Sequence, residues 1–396
     1  MLKNLTDINK TDSKLFVLRP DHLGDVILFS GFLKHFRILY PEFKIILSVK
    51  RSVKNLVELC PHIDEIIDYE KLSSIPLNFL PNMRGKYRLN WILRNLLNKR
   101  YKSDIILLPV RSPTGGLFGM HNIVHTIPAP VKIGIRGDFT NQTPEHDEAV
   151  APFYTRRLNL GNEQKKTFEM EMNKTFLKFL GLNSDSEEIW PEFWTNLDDL
   201  DWAKNLVPIK DGFMTLGICP GVTSSLYGKY YPPENYAQAI ANLNEISFLA
   251  VIFGSPAEKD VCNELENALS RCINVTKIIN LSGKSTIRQM IEGIRRCNLI
   301  ISAETAALHV GVALRKPSVG ILGGGHYGRF YPWGDNKINR AANKQMDCYW
   351  CNWNCIYDTF RCIHEIPPQT IEKQTRQALF NSNVAKNYFN RDFKPI

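Results

Sequence analysis

The sequence predicts an α/β protein made of two similar doubly wound halves with a cleft between them. Apolar strand-like runs alternate with helical patterns along most of the 396 residues, which is typical of parallel sheets with right-handed crossovers. The chain is also longer than one hydrophobic core usually spans. At 183–212 the alternation gives way to charged residues, Pro and Trp, and it then restarts, which indicates a domain boundary.

The first half predicts a series of strand and helix units. Its strands are 14–20, 43–49, 64–69 and 104–110, and helical patterns follow them after Asp25, at 53–61, in the basic segment and at 111–125. Residues 136–165 are polar and weakly periodic, which predicts a loop region reaching over the domain. A helix at 168–182 closes this half.

The second half repeats the pattern. Its predicted strands are 213–221, 247–256, 275–285, 298–304 and 317–324, and its predicted helices are 232–244, 257–270, 286–297 and 305–315. The loops that follow parallel strands lie at one edge of a sheet, where ligands usually bind. Binding and catalytic residues are therefore expected at the strand ends.

The net charge of +9 suggests an anionic partner: nucleotide phosphates, nucleic acid or an anionic membrane surface. Nucleic acid is disfavoured because no helix-turn-helix and no aromatic-basic sheet pattern is present. Part of the charge is local, since no acid lies between Glu70 and Asp104 while eight bases do. Apolar residues at helical spacing within 87–102 predict a solvated basic helix on the core, with an interfacial helix or an anionic-acceptor site as alternatives.

The chain predicts a cytoplasmic protein. It has no apolar run of about 18 residues, as a membrane span needs, and its first residues form no apolar leader. The basic segment adds the prediction of peripheral contact with the inner face of the inner membrane. The oligomeric state is left open.

Asp25 lies where an apolar run breaks and a helical pattern begins, so it is either a helix cap or a group that touches substrate. In the second half, Gly221, Ser224, Ser225 and Lys229 form a plausible phosphate cradle. Glu258 near a helix start is either a ribose ligand or a capping acid.

A third strand end carries Glu304, Thr305 and the following amides, which suit an anion and sugar hydroxyls. His309 lies one turn further on and is by default a structural residue. Cys348, Cys351, Cys355 and Cys362 have a spacing compatible with a tetrahedral thiolate site for structural Zn or Fe, the alternative being free thiols packed with aromatic residues.

Five blocks in order resemble glycosyltransferase family 9, the heptosyltransferases of lipopolysaccharide assembly. They begin "LRPDHLGDVILF", "PGVTSSLYGKYYPP", "FGSPAEKD", "NLSGKSTIRQMI" and "NLIISAETAALHV", and the resemblance covers roughly 15–375. It implies a GT-B fold of two Rossmann-like domains. The implied parts are an acceptor-binding domain at 1–190, a nucleotide-sugar-binding domain at 191–365 with the Cys-rich segment 348–362, and a C-terminal helix at 366–396 crossing back to the first domain.

The resemblance also implies an inverting reaction that needs no cofactor or metal for catalysis. Asp25 matches the general base, and Lys229 matches the lysine that stabilises the leaving diphosphate. The hydroxyl pair matches Ser224 and Ser225, the ribose acid matches Glu258, and the adenine turn falls near Lys284 and Ser285. The implied donor is ADP-heptose and the implied acceptor an anionic glycolipid of lipopolysaccharide core type.

Two departures from the family pattern matter. The motif 304–309 includes Thr305 and His309, and the family usually has Asp and Gly where this chain has Glu304 and Ala306. These two differences leave the identity of the donor sugar open. A Cys-rich segment like 348–362 resembles that of family members that modify autotransporter proteins, where it is linked to iron. The alternatives are therefore a protein heptosyltransferase and a catalytically inactive sugar-nucleotide-binding protein.

Overall fold

The computed structural model describes residues 12–73, 86–113, 119–161, 166–182, 188–221, 229–382 and 384, with the backbone alone at 86–91. Within it the chain forms two compact units, residues 1–192 and 193–396.

The first unit is built on a six-stranded parallel sheet. Its strands are β1 (Lys14–Leu18), β2 (Lys44–Val49), β3 (Glu65–Asp68), β4 (Ile105–Leu107), β5 (Val131–Arg136) and β6 (Arg156–Asn159). They lie in the order β3-β2-β1-β4-β5-β6. The central strand β1 is paired on both edges, to β2 and to β4, and it is apolar and buried, as is usual where helices cover both faces of a parallel sheet.

Helices connect the strands of this sheet. They are α1 (Leu23–Ser30), α2 (Leu33–Leu39), α3 (Lys54–Val57), α4 (Glu70–Ser73), α5 (Lys86–Asn98), α6 (Met120–Thr126), α7 (Pro144–Ala149) and α8 (Glu169–Leu180). One apolar core joins β1, β2 and β4 to α6, with Phe16, Ile106 and Ile123 fully buried in it.

The second unit repeats this topology. Its strands are β7 (Met214–Cys219), β8 (Phe248–Ile252), β9 (Val275–Asn280), β10 (Leu299–Ala303), β11 (Ser318–Leu322) and β12 (Asn339–Asn343). All pair in parallel in the order β12-β11-β10-β7-β8-β9. In each sheet the strand order reverses beside the first strand, as in dinucleotide-binding folds, so the crevices that usually bind ligands lie at the carboxyl ends of β1 and β4 and of β7 and β10.

The helices of the second unit are α9 (Leu197–Leu206), α10 (Pro233–Ala241), α11 (Lys259–Leu269), α12 (Ile287–Arg296), α13 (Ala306–Ala313), α14 (Arg361–His364) and α15 (Pro368–Phe380). Helix α15 packs against β11, β12 and α10 of this unit through Ile371, Ala378 and Leu379. Residues 385–396 lie outside the described residues, and the crossing of 366–396 to the first domain stays a prediction.

The predicted α/β class with two doubly wound parallel sheets is confirmed. The loop predicted at 136–165 was wrong in part, because α7 and β6 lie within it. Strand β6 escapes notice because it is a short edge strand whose Arg and Asn residues are partly exposed. Strand β12 was missed for the same reason, since its sequence NRAAN has no apolar run.

Within the described part of the chain, every helix is too short or too polar to cross a membrane.

Candidate active site

A pocket in the second unit lies at the carboxyl ends of the central strands. Its lining includes Lys229, which follows β7, and Glu304, which directly follows β10. Since β7 and β10 are neighbours, the fold brings these two loops together. The predicted residues Ser224 and Ser225 lie in 222–228, outside the described residues.

Burial shifts the pKa values of Lys229 and Glu304 in the direction that favours their uncharged forms. Burial lowers the pKa of Lys229 to about 8, although the Glu304 carboxylate acts to raise it. Burial likewise raises the pKa of Glu304 to about 7, against the effect of Lys229. The Glu304 residue is half-buried, but its Oε1 atom is fully buried and has no hydrogen-bond partner among the described residues. A cation and an acid of this kind can receive an anionic, hydroxyl-rich ligand.

Trp353, from the Cys-rich segment, forms another wall of the pocket. The ammonium of Lys229 lies 3.3 Å from the centre of the Trp353 ring. The same ring packs on the glycine turn after β11, where a Cβ atom on Gly323 or Gly325 would lie 2.7 or 2.4 Å from it. Glycine is therefore required at these two positions for the ring to lie against the turn.

Glu258 lies beside the same strand end but acts as a cap in this structure. Its Oε2 accepts a hydrogen bond from the Ser255 backbone N–H at 2.6 Å, within a capping box. The carboxyl group also lies against Gly221, where an added Cβ would be 2.5 Å from the Glu258 Cδ. Its carboxylate is thus adjacent to the loop that carries Lys229, while the predicted ribose contact stays a prediction.

Helix α13 begins immediately after Thr305, so the first amides of Ala306 and Ala307 are at the carboxyl edge. His309 is buried in this helix, and its Nδ1 accepts a hydrogen bond from Trp333 Nε1 at 3.0 Å. Burial lowers the pKa of His309 to about 4, so the ring is neutral at physiological pH. The ring is therefore buried and hydrogen-bonded, and its role stays a prediction.

The predicted adenine turn follows β9. The Lys284 ammonium donates to the Asn280 carbonyl at 2.9 Å and Lys284 is exposed, while Ser285 is half-buried just before α12. Neither residue lines the pocket around Lys229.

Asp25 lies in the first turn of α1, directly after β1 in the first unit. His22 occupies the N-cap position, so Asp25 is not the cap. A carboxylate in the first turn is favoured by the helix dipole. Asp25 also interacts electrostatically with Arg19, at the end of β1. Burial lowers the pKa of Arg19, and nearby carboxylates including Asp25 raise it.

A buried ionic network supports this strand end. Arg19 pairs with Asp21 at 2.8 Å and with Glu169 at 3.1 Å. Arg111, which follows β4, pairs with Asp138 at 2.9 Å and lies 3.7 Å from Glu169. The ends of β1 and β4 are thereby tied to α8, which fixes the backbone that carries Asp25.

The structure does not support the predicted metal site. Burial, and after it the nearby Cys348, Cys351 and Cys355, raise the pKa of Cys362. Cys362 accepts a hydrogen bond from the Gly324 N–H at 3.4 Å, and the Cys355 thiol donates to the Thr359 carbonyl at 3.5 Å. In the part of the chain that the structure describes, no three His, Cys, Asp or Glu side chains are grouped to hold a metal ion.

The sequence did not predict that Trp353 lines the pocket, nor that Arg19 takes part in a buried ionic network. Trp353 is 124 positions from Lys229, and only its position within a dense aromatic segment marked it. Arg19 was read as part of a strand end, and its partner Glu169 follows 150 residues later. Contacts at such separations depend on the sheet order, which a single sequence does not reveal.

Comparison with known proteins places this architecture in a family. Residues 115–352 match the profile of glycosyltransferase family 9 (heptosyltransferase). The lipooligosaccharide heptosyltransferase 2 of Campylobacter jejuni is 22% identical over 46% of this chain, and the match spans 56% of that relative. The lipopolysaccharide heptosyltransferase 2 of Escherichia coli is 21% identical over 78% of this chain and 82% of its own length.

Solved structures show the same fold. A glycosyl transferase family 9 protein from Veillonella parvula has a TM-score of 0.67 at 20% identity, covering 94% of this chain and 99% of its own. The Escherichia coli ADP-heptose lipopolysaccharide heptosyltransferase II has a TM-score of 0.66 at 17% identity, covering 93% and 98%. The iron-containing dodecameric glycosyltransferase TibC from enterotoxigenic Escherichia coli has a TM-score of 0.50 at 12% identity, covering 94% and 76%.

Proposed function

Because this chain belongs to glycosyltransferase family 9, we propose that it transfers a sugar from a nucleotide-sugar donor, ADP-heptose first among the candidates, to a lipopolysaccharide-core or related surface-glycan acceptor. The observation that carries the proposal is the pocket of Lys229 and Glu304 at the central strand ends of the second sheet. Relatives named as heptosyltransferases support heptose as the sugar.

In this proposal the second unit binds the donor. Lys229 and the amides at the start of α13 neutralise charge that develops on the leaving diphosphate, which removes the need for a metal ion at this step. Glu304 accepts hydrogen bonds from hydroxyls of the transferred sugar, and its Oε1, which has no hydrogen-bond partner among the described residues, is suited to do so. Glu258 leaves its capping bond to bind the ribose, while Lys284 and Ser285 flank the base.

The first unit supplies the general base. Asp25 removes the proton from the acceptor hydroxyl as that oxygen attacks the anomeric carbon, with the bond to the diphosphate breaking on the opposite face. The configuration of the anomeric carbon is inverted as a result. The buried network around Arg19 keeps the strand end rigid, so that Asp25 holds one position.

Nucleotide release from a panel of sugar donors tests the proposal. Purified protein is incubated with each donor and a lipopolysaccharide-precursor extract, beside Asp25→Asn and Lys229→Met variants. ADP release from ADP-heptose that both variants reduce at least 100-fold supports the proposal. Release from another donor would show that a different sugar is transferred, and the altered Glu304 loop would account for that specificity. Turnover only with a protein acceptor would select the protein heptosyltransferase, and ADP binding without turnover would select the inactive binding protein.

We further propose that the first unit meets an anionic membrane face through the end of α5. Ile92, Leu96 and Leu97 are 41%, 55% and 46% exposed, and the bases just beyond them are also exposed. Apolar side chains beside lysine and arginine suit an interface with anionic lipid. Arg94, part of the predicted basic surface, is instead fully buried and cannot contribute.

Vesicle sedimentation tests this contact. A variant with Lys99, Arg100 and Lys102 changed to Glu should lose binding to vesicles that contain phosphatidylglycerol, whereas Arg271→Glu/Lys277→Glu, on exposed bases of the second unit, should retain it. Equal binding by both variants would refute the membrane contact without affecting the proposed transfer reaction.

A further inference from the structure

The Cys-rich segment places the ring of Trp353 against Lys229, the lysine of the proposed reaction. Trp353 lies within a turn that is hydrogen-bonded to the glycine turn after β11: the Trp350 N–H donates to the Gly324 carbonyl at 2.8 Å, and the Asn352 N–H donates to the Gly325 carbonyl at 3.3 Å. These bonds place the segment directly against residues 323–325, at the end of a central strand of the donor unit.

The backbone of this turn is held in an uncommon conformation. Asn352 and Trp353 have φ of 50° and 62°, in the left-handed region that bulky side chains rarely adopt. Such a conformation persists only where surrounding contacts determine it, and it is often found at functional sites. Here the contacts are those that press the Trp353 ring onto the glycine turn.

Contacts on several sides fix the orientation of the ring. Trp353 Nε1 donates to His326 Nδ1 at 3.3 Å, and His326 in turn is held by the Asn352 side chain. Phe360 packs edge-on, with its ring centre 5.9 Å from that of Trp353 and the planes at 73°. The remaining face meets the Lys229 ammonium at 3.3 Å from the ring centre, a cation–π geometry.

We propose that Trp353 is a positioning residue for Lys229: its ring face holds the ammonium in the pocket beside Glu304, where the diphosphate leaves. The inference rests on the proposed function for the role of Lys229, but the contact itself does not. Lysine is a flexible side chain that loses considerable rotamer freedom when it is fixed. A rigid π face lowers the entropic cost of holding the lysine ammonium in place while negative charge develops on the leaving group.

The steady-state test uses a double-mutant cycle. Trp353→Leu keeps an apolar side chain but removes the π face, and we expect kcat for ADP release to fall about tenfold, within the range of a desolvated cation–π contact. Trp353→Phe keeps a ring face and should stay within about threefold of the wild type. In a Lys229→Met background Trp353→Leu should have no further effect, because its partner is absent. Equal losses in both backgrounds would overturn the proposal.

Two glycine variants test the same contact through the turn on which the Trp353 ring packs. Gly325→Ala places a methyl group 2.4 Å from the Trp353 ring, whereas Gly324→Ala places one 2.2 Å from Tyr349. Both variants add one carbon to the same turn. We expect a larger fall in kcat for Gly325→Ala, with equal circular dichroism spectra; a larger fall for Gly324→Ala would contradict the role of Trp353.

Amine footprinting separates failure of this inference from failure of the proposed function. Acetylation of the full-length protein, followed by mass spectrometry of the Lys229 peptide, reports the ammonium without any donor turnover. Lys229 should be acetylated several-fold faster in Trp353→Leu than in the wild type, with Trp353→Phe close to the wild type and Lys277 unchanged throughout. Equal rates at Lys229 in all three proteins would refute the positioning role, even if ADP-heptose is turned over.

Discussion

Changing Glu304 to Gln tests the electrostatics of the donor pocket. Burial lowers the pKa of Lys229 to about 8, and the Glu304 carboxylate is the largest influence that opposes this fall. The amide of Glu304→Gln has nearly the same shape but no charge, so the variant loses that support. An opposite charge at close range changes a pKa by about 1 to 3 units, and we take the smallest value, about one unit.

The expected result is a steeper loss of activity at alkaline pH. If only protonated Lys229 supports departure of the diphosphate, the wild type retains about half of its activity at pH 8, since the pKa of Lys229 is about 8. With a pKa about one unit lower, the variant retains about a tenth. Near pH 6 the two proteins should behave alike, because the pKa of Glu304 is about 7 and its carboxyl is then mostly protonated in the wild type.

The assay is kcat/KM for the donor, from initial rates of ADP release between pH 6 and pH 9, because kcat/KM reports the pKa values of the free enzyme. Glu258→Gln is the control, since it removes a carboxylate from the same edge of the sheet and should leave the alkaline limb of the profile in place. Alkaline limbs that coincide in the wild type and Glu304→Gln would refute the coupling of Glu304 to Lys229.

Three further predictions concern stability, each measured as the free energy of unfolding in urea. Arg111→Met removes the cation that pairs with the buried Asp138 carboxylate, while Glu169 keeps Arg19, and should cost about 3 to 5 kcal/mol. Tyr231→Phe leaves a buried carbonyl without the donor that lies 2.7 Å from it, for a loss of about 1 to 3 kcal/mol; a loss below 0.5 kcal/mol would contradict this. Gly134→Ala places a Cβ 2.6 Å from the Tyr154 ring and should cost about 1 to 3 kcal/mol by overpacking, whereas an unchanged midpoint would show that the ring moves freely.

Regular alternation made much of the fold predictable. Central strands such as β1 and β10 are nearly continuous apolar runs because helices cover both faces of a parallel sheet, and such runs are recognisable in the sequence. The edge strands β6 and β12 have polar sequences and were therefore not identified, whereas the more apolar edge strands β3 and β9 were. Strand β5 was also not identified, although it is paired on both edges.

The candidate site was predictable where its residues follow strands directly. Glu304 comes immediately after β10 and Asp25 lies in the first turn of the helix that follows β1, so the general rule for parallel sheets locates them at a carboxyl edge. Trp353 could not be located in this way, because its position depends on how a loop folds back over residues 323–325. The Cys spacing suggested a metal, but spacing does not determine which thiols lie close together, and no group of three metal-ligating side chains forms among the described residues.

The most direct test of the proposed reaction is analysis of its product. Wild type and Asp25→Asn are incubated with ADP-heptose and a lipopolysaccharide-precursor extract, and the acceptor is then examined by mass spectrometry and the new linkage by NMR. We predict that the wild type adds one heptose with inverted anomeric configuration, and that Asp25→Asn adds none while still binding ADP. Retained configuration, or an equal yield from Asp25→Asn, would contradict a mechanism in which Asp25 is the general base.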